Sequence, residues 1–300
     1  MSVKLGINPI GWTNDCLRWL GDLVPLETCL AEAREAGFSG VELGRKFPRA
    51  AGELRPLLER HGLALVAGWY SATLLERTAQ EEIAALQGHL RLHAELGAKV
   101  LVVAETTGEI INRVDRPASA RPRIEGREAW RRFGEKLTAL AEATLEQGVR
   151  LAYHHHMGTV VETRDDIARL LEGTGPALGL LLDTGHLVFA GGDPAALARE
   201  HAERIVHVHC KDVRRYALAA CRRRDASFSE AVLLGVFTAP GDGLVDFPAV
   251  LAALSAARYR GWLVHEAEQD PRQAPPGIYA ELGCSYLRQL CAGAGLRVEG

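Results

Sequence analysis

The feature that most constrains this chain is a repeated unit, in which a short β-branched or apolar run is followed by an amphipathic stretch rich in Ala, Leu, Glu and Arg. Apolar alternation marks a strand and a 3.6-residue period marks a helix, so the repeat reads as strands alternating with helices. Strands are predicted over Val3–Asn8, Gly40–Leu43, Leu63–Trp69, Lys99–Ala104, Arg150–His154, Leu178–Asp183, Ile205–Cys210 and Trp262–Glu266. Helices are predicted over Leu26–Ala36, Glu53–His61, Leu75–Leu96, Arg127–Gln147, Arg164–Leu171, Pro194–His201, Phe247–Ala257 and Tyr279–Leu290. Gly37, Gly62, Gly97 and Gly148 stand between a helix end and the next strand, where a left-handed cap residue belongs. Eight such units in 300 residues match an α/β fold of the (β/α)8 type, a TIM barrel. A doubly wound open sheet is the alternative. It usually carries a Gly-rich phosphate loop after its first strand, and Asn8-Pro9-Ile10-Gly11-Trp12 is not one. No linker or low-complexity segment interrupts the repeat, which predicts one domain over residues 1–300.

Composition narrows the function classes. Lys and Arg number 35 against 38 Asp and Glu, a formal charge of −3, so there is no electrostatic footprint for tracking a phosphate backbone. No apolar run is long enough to span a bilayer, and the N-terminus lacks the layout of a secretory signal, which predicts a cytoplasmic protein. Cys16, Cys29, Cys210, Cys221, Cys284 and Cys291 are scattered without a CxxC pair, as expected of reduced thiols. Two connections are much longer than the rest, from Glu105 to Gly126 and from Asp212 to Asp246. Both are predicted to be structureless lids or binding loops on one face of a barrel. The run Arg222 to Arg224 within the second reads as a solvated charge cluster.

Chemistry collects at the strand ends. Of the 11 histidines, His154, His155, His156, His186, His207, His209 and His265 lie on or just after predicted strands. Alternation sends His154 and His156 to one face and His155 to the other. Asp183 closes a wholly apolar run, and a buried carboxylate there needs a cation or several donors. With His209 and Glu266 on the next strands, it makes a mixed nitrogen and oxygen set suited to Mn²⁺, Co²⁺, Mg²⁺ or Zn²⁺. Glu42 and Glu105 each follow an apolar run and are candidates for the barrel mouth. Asn8 is a further polar strand-end candidate, and Trp12 and Trp69 are candidates because an indole face stacks well on a sugar ring.

The fragments Leu-Leu-Asp183-Thr-Gly-His186, His207-Val-His209-Cys-Lys211-Asp and Gly-Trp262-Leu-Val-His-Glu266 resemble the xylose-isomerase-like TIM-barrel superfamily. Within it, Gly6 to Asp15, Gly40 to Gly44, Gly68 to Ser71, Tyr153 to Val161, Gly185 to Pro194, Gly235 to Gly243 and Glu266 to Pro271 are similar to the inosose dehydratase (myo-inosose-2 dehydratase) family. The resemblance implies a hydro-lyase of inositol catabolism. Such an enzyme dehydrates scyllo-inosose (2-keto-myo-inositol) to 3D-trihydroxycyclohexane-1,2-dione with a divalent metal, manganese or cobalt, and a thiol requirement is compatible with it. Carried over position by position, the superfamily ligands fall on Asp183, His209 and Glu266. The strand-5 position, a Glu elsewhere in the superfamily, holds His154 here, and His156, Glu162 or water are alternatives. Cys16 departs from an expected acidic residue. His156, His186, Lys211 and Glu268 are the proton-transfer candidates, Lys211 as a base whose pKa a nearby cation would lower. Asn8, Trp12, Glu42, Trp69 and Glu105 are the substrate-binding candidates. The partner implied is a small polyol ketone, without nucleic acid or membrane, and a homo-oligomer is compatible. The competing readings are a ketose epimerase or isomerase of the same superfamily, DNA-lesion incision, and a non-catalytic polyol-binding protein.

Overall fold

The computed structural model describes residues 2–300. Its strands are β1 (Ser2–Ile7), β2 (Gly40–Leu43), β3 (Ala64–Ala72), β4 (Val100–Glu105), β5 (Arg150–His154), β6 (Gly179–Asp183), β7 (Ile205–Cys210), β8 (Asp212–Val213), β9 (Phe237–Thr238), β10 (Trp262–His265) and β11 (Arg297–Glu299). Its helices are α1 (Leu26–Glu35), α2 (Ala51–His61), α3 (Ala79–Leu96), α4 (Arg127–Glu146), α5 (Arg164–Glu172), α6 (Thr184–Phe189), α7 (Pro194–Glu200), α8 (Arg215–Arg223), α9 (Phe228–Leu233), α10 (Phe247–Ala256) and α11 (Pro276–Gly293). Strands β1 to β7 and β10 pair in parallel, and β10 returns to β1 to close an eight-stranded barrel. No described helix is long and apolar enough to cross a membrane.

The strands are buried on both faces, which is why they read as near-continuous apolar runs. Outward residues such as Tyr153, Leu180, Leu182 and Val208 pack under the helices. The barrel interior is a separate layer of Val66, Ala67, Val102, Ala152, Leu181 and Val264. Gly40 belongs to this layer because a Cβ there would stand 2.6 Å from Val66 and 2.7 Å from the Trp262 ring. On the outside, Gly283 of α11 lets that helix close on β10, since a Cβ would lie 2.2 Å from His265 Nδ1.

Several elements depart from expectation. Helix α3 starts at Ala79, not Leu75, because Thr78 and Glu81 form a reciprocal capping box. The connection after β7 is folded: β8 and β9 pair antiparallel, and α8 and α9 lie between them. Phe228, Val232, Val236 and Phe237 from this segment join Leu17, Leu20, Ile111, Met157 and Phe189 in an apolar cap fed by the loops after β1, β4, β5 and β6. Burial of that cluster orders a stretch whose sequence lacks a clear period. In the connection after β4, only a single turn of 3-10 helix forms, at Ala118–Ala120. A further addition is β11, which pairs with Ser2–Lys4 of β1 below β2.

Candidate active site

Alternate residues of each strand face the barrel interior, so the last inward residue of each strand stands at the C-terminal mouth. These residues are His154 of β5, Asp183 of β6, His209 of β7 and, one residue past β10, Glu266. Asp183 stands opposite His209, while His154 pairs with Leu181 and His209 with Val264, so the four are staggered along the strands and still meet at the mouth. One donor atom from each of the four lies within 4.8 Å of the others, and all four residues are buried. Asp183 Oδ2 is 3.7 Å from His154 Nε2 and 3.5 Å from His209 Nδ1, which also faces Glu266 Oε2.

The quartet fits a divalent cation. Asp183 Oδ2, His209 Nδ1 and Glu266 Oε2 are buried and make no hydrogen bond, a costly arrangement unless something else binds them. His154 Nδ1 donates to the His155 carbonyl at 2.7 Å, which leaves the Nε2 lone pair aimed at the cluster. Two carboxylates and two imidazoles are a donor set for Mn²⁺, Co²⁺ or Zn²⁺. Glu162 is not part of it: its carboxylate accepts from Gly158 N at 2.9 Å and faces Arg121 at 3.6 Å.

Beside the quartet lies a second buried group of His156, His186 and Glu268. Lys211 Nζ joins the two, lying 2.6 Å from Glu268 Oε2, 2.9 Å from His186 Nε2 and 3.1 Å from Glu266 Oε1. Burial alone would pull the lysine down, but Asp183, Glu266 and Glu268 outweigh it and hold the ammonium above its ordinary range. These carboxylates favour the charged form of Lys211; the expectation of a lysine base turns on a cation bound at Asp183 and Glu266, which would oppose them. Burial pushes Glu268 up to about 7, with Glu266 adding to the rise and Lys211 opposing it. Burial and the nearby ammonium pull His156 down to about 4, so its ring is neutral at neutral pH. It packs against His186 with ring centroids 3.9 Å apart and the two planes tilted by 45°.

Above these groups opens a cavity of about 360 Å³. Among the sequence candidates, Asn8, Glu42, Trp69, His154, His156, His209, Glu266 and Glu268 line it, while Asp183, His186 and Lys211 lie behind the lining. Trp69 presents its ring between His154 and His156, edge-to-face at 5.5 and 5.4 Å. Five carboxylates line the cavity (Asp15, Glu42, Glu109, Glu266 and Glu268), and no Lys or Arg does. Cys16 also lines it, its thiol pushed up by burial and by Glu268.

Two substrate-binding candidates lie off this cavity. Trp12 is core, and its Nε1 donates to Glu32 at 2.6 Å. Glu105 uses its oxygens on the backbone N–H groups of Thr107 and Leu74, at 2.9 and 2.6 Å, and so braces the loop ends around β4. Conversely, sequence reasoning singled out neither Asp15, Ser71 nor Thr106, Glu109 and Asn112. The last three sit in the long connection after β4, whose length was the only signal for them.

The chain matches the model of the xylose isomerase-like TIM barrel over residues 30–290. It is 52% identical to the rhizopine catabolism protein MocC of Rhizobium meliloti over 299 residues, covering 100% of this chain and 92% of that protein. It is 43% identical to an inosose dehydratase of Geobacillus thermodenitrificans over 290 residues, covering 96% of this chain and 97% of that protein. Among solved structures, a sugar phosphate isomerase/epimerase from Parabacteroides distasonis superposes with a TM-score of 0.69 at 18% identity, covering 96% of this chain and 94% of that one. At that identity the likeness speaks for the fold alone. The barrel, the placement of polar groups at its mouth and these full-length similarities agree: the chain belongs to the xylose isomerase-like TIM barrel family, and within it stands with the inosose dehydratases and MocC.

Proposed function

We propose that this protein is a hydro-lyase that removes water from a cyclic polyol ketone, scyllo-inosose, to give 3D-trihydroxycyclohexane-1,2-dione. The observation that carries the reading is the full-length similarity to inosose dehydratases, at 43% for one of them. The cavity supports it. A lining with five carboxylates and no Lys or Arg repels phosphate and carboxylate groups but suits a neutral ring of hydroxyls, which can donate to Asp15, Glu109 and Glu268. The same reading takes manganese or cobalt as the ion, held by His154, Asp183, His209 and Glu266. It takes the cytoplasm as the compartment and a homo-oligomer as the assembly.

Loss of water requires three proton movements. A base takes the proton from the carbon beside the ketone, and the freed electron pair forms a double bond as the β-hydroxyl leaves. That hydroxyl takes up a proton to depart as water. The double bond still carries the α-hydroxyl, and its ketonisation gives the second carbonyl. A bound divalent cation supplies Lewis-acid polarisation of the ketone. Glu268 is the group best placed to exchange protons, since it faces the cavity and is poised near neutrality. Lys211 holds the Glu268 carboxyl in place from behind, and the neutral His156 offers a second proton acceptor on the same wall. Trp69 gives the ring an apolar face to lie on and keeps water off the two histidines.

The test is to incubate metal-free protein with scyllo-inosose, then add Mn²⁺ or Co²⁺, and follow product by mass and ultraviolet absorbance. Metal-dependent loss of one water is the expected result. A rearranged product of unchanged mass would make the protein an epimerase or isomerase instead, and no reaction with either metal would overturn both readings.

A further inference from the structure

One cavity-lining carboxylate, Glu42 of β2, is occupied by the protein itself. Its Oε1 receives His207 Nε2 at 2.7 Å, and its Oε2 receives Asn8 Nδ2 at 2.7 Å and His209 Nε2 at 3.1 Å. Three donors from β7 and the end of β1 therefore converge on one buried group, which leaves it little capacity for a ligand hydroxyl. Because an ionised carboxylate only accepts, both imidazoles must present Nε2–H to it. For His209, the opposite nitrogen, Nδ1, then points at Asp183 Oδ2 and Glu266 Oε2. Asn8 is held in turn, since its Oδ1 accepts from Ile10 N at 2.9 Å and so fixes which end of the amide faces Glu42.

We propose that Glu42, clamped by Asn8 and His207, is a positioning residue that orients His209 and makes its Nδ1 the ligating atom of the divalent-cation site. It is not a substrate-binding residue, which revises the expectation from sequence. The proposal rests on reading the quartet as a metal site. The physical reason is that a carboxylate on the far nitrogen fixes the ring and raises its basicity, and losing such a partner typically weakens metal binding about 10- to 100-fold.

The experiment measures Mn²⁺ affinity directly, by titration of metal-free protein with detection of free ion, and records the visible spectrum of the Co²⁺ form. Glu42→Gln keeps size and one acceptor but loses the charge, and is expected to weaken Mn²⁺ about 10-fold; Glu42→Leu removes both and is expected to weaken it about 100-fold. Both are expected to alter the Co²⁺ spectrum. His207→Gln keeps a donor toward Glu42 and is expected to stay within about twofold of wild type. A Glu42→Gln protein that keeps the wild-type Mn²⁺ affinity and Co²⁺ spectrum overturns the proposal, and a loss of melting temperature alone does not rescue it. Wild-type protein that binds neither ion overturns the metal reading together with it.

Discussion

The two halves of the barrel end in similar residue types but use them differently. The first four strands finish near Asn8, Glu42, Trp69 and Glu105, and there the carboxylates are consumed by the protein: Glu42 by Asn8 and two histidines, Glu105 by two backbone N–H groups. Strands β5, β6, β7 and β10 finish at His154, Asp183, His209 and Glu266, and there Asp183, His209 and Glu266 each keep a buried atom with no hydrogen-bond partner. A strand-end carboxylate is therefore a weak guide to chemistry by itself. What separates the halves is whether its oxygens are already satisfied, because an unmet buried acceptor costs roughly 1–3 kcal/mol and persists only where something offsets it.

The contrast is broken most severely at the orphaned side. Asp183→Asn or Glu266→Gln is expected to abolish both bound metal and turnover, read by metal analysis alongside product formation; a variant with full metal content and full activity would sink the assignment. Next in size is Glu268→Gln, expected to lower kcat on the order of 10²- to 10⁴-fold while Mn²⁺ affinity stays near wild type. Loss of metal in parallel would move Glu268 from proton transfer to ligation.

Glu162 sharpens the comparison from outside the site. Burial pushes its carboxyl up to about 7 against the opposing Gly158 N–H and Arg121. Since the folded value lies above the unfolded one of 4.5, its contribution to stability is full below about 4.5 and is lost as pH rises through about 7. Glu162→Gln should remove that decline, so the variant gains on wild type by roughly 2–4 kcal/mol between pH 4.5 and 8 in denaturant titrations. Parallel stability curves for the two proteins would show that the carboxyl ionises freely. Smallest is the pair of tryptophans. Trp69→Ala should raise KM about 3- to 10-fold through lost ring stacking, whereas Trp12→Phe should leave KM alone and cost about 1 kcal/mol through its lost hydrogen bond to Glu32. Equal effects on KM would erase the distinction between cavity wall and core.

The barrel was readable from sequence because its signals are local. Residues Gly40–Leu43, Arg150–His154 and Ile205–Cys210 form strands with the predicted bounds, since an apolar run between turn residues leaves few alternatives. Asp183, His209 and Glu266 were legible as polar ends of successive apolar runs and as the ligands the resemblance implies. Alternation puts His154 and His156 on one face, so the strand-5 member stayed open until the three-dimensional neighbours placed His154 beside Asp183. What escaped depends on distant partners. Helices α8 and α9 are held by Ile111, Met157 and Phe189 from other loops, and no window of the sequence contains that cluster. Glu42 and Glu105 look alike in sequence, each a carboxylate after an apolar run. Only the three-dimensional neighbours show that one clamps a histidine and the other a loop. The surroundings of Lys211 escaped on the same ground, because the three carboxylates beside it come from β6 and the segment after β10.

The pairing of β11 with the start of β1 sets Ser2 opposite Arg297, at the end of the barrel away from the cavity. The two ends of the described chain are thus neighbours on a face that takes no part in the chemistry. A short peptide could join them, and new ends could then be opened in an exposed helix connection without crossing the mouth. The order in which the strands leave the ribosome would change while the ring of β1 to β7 and β10 stayed closed, so the cavity depends on the circle of strands and not on which strand comes first.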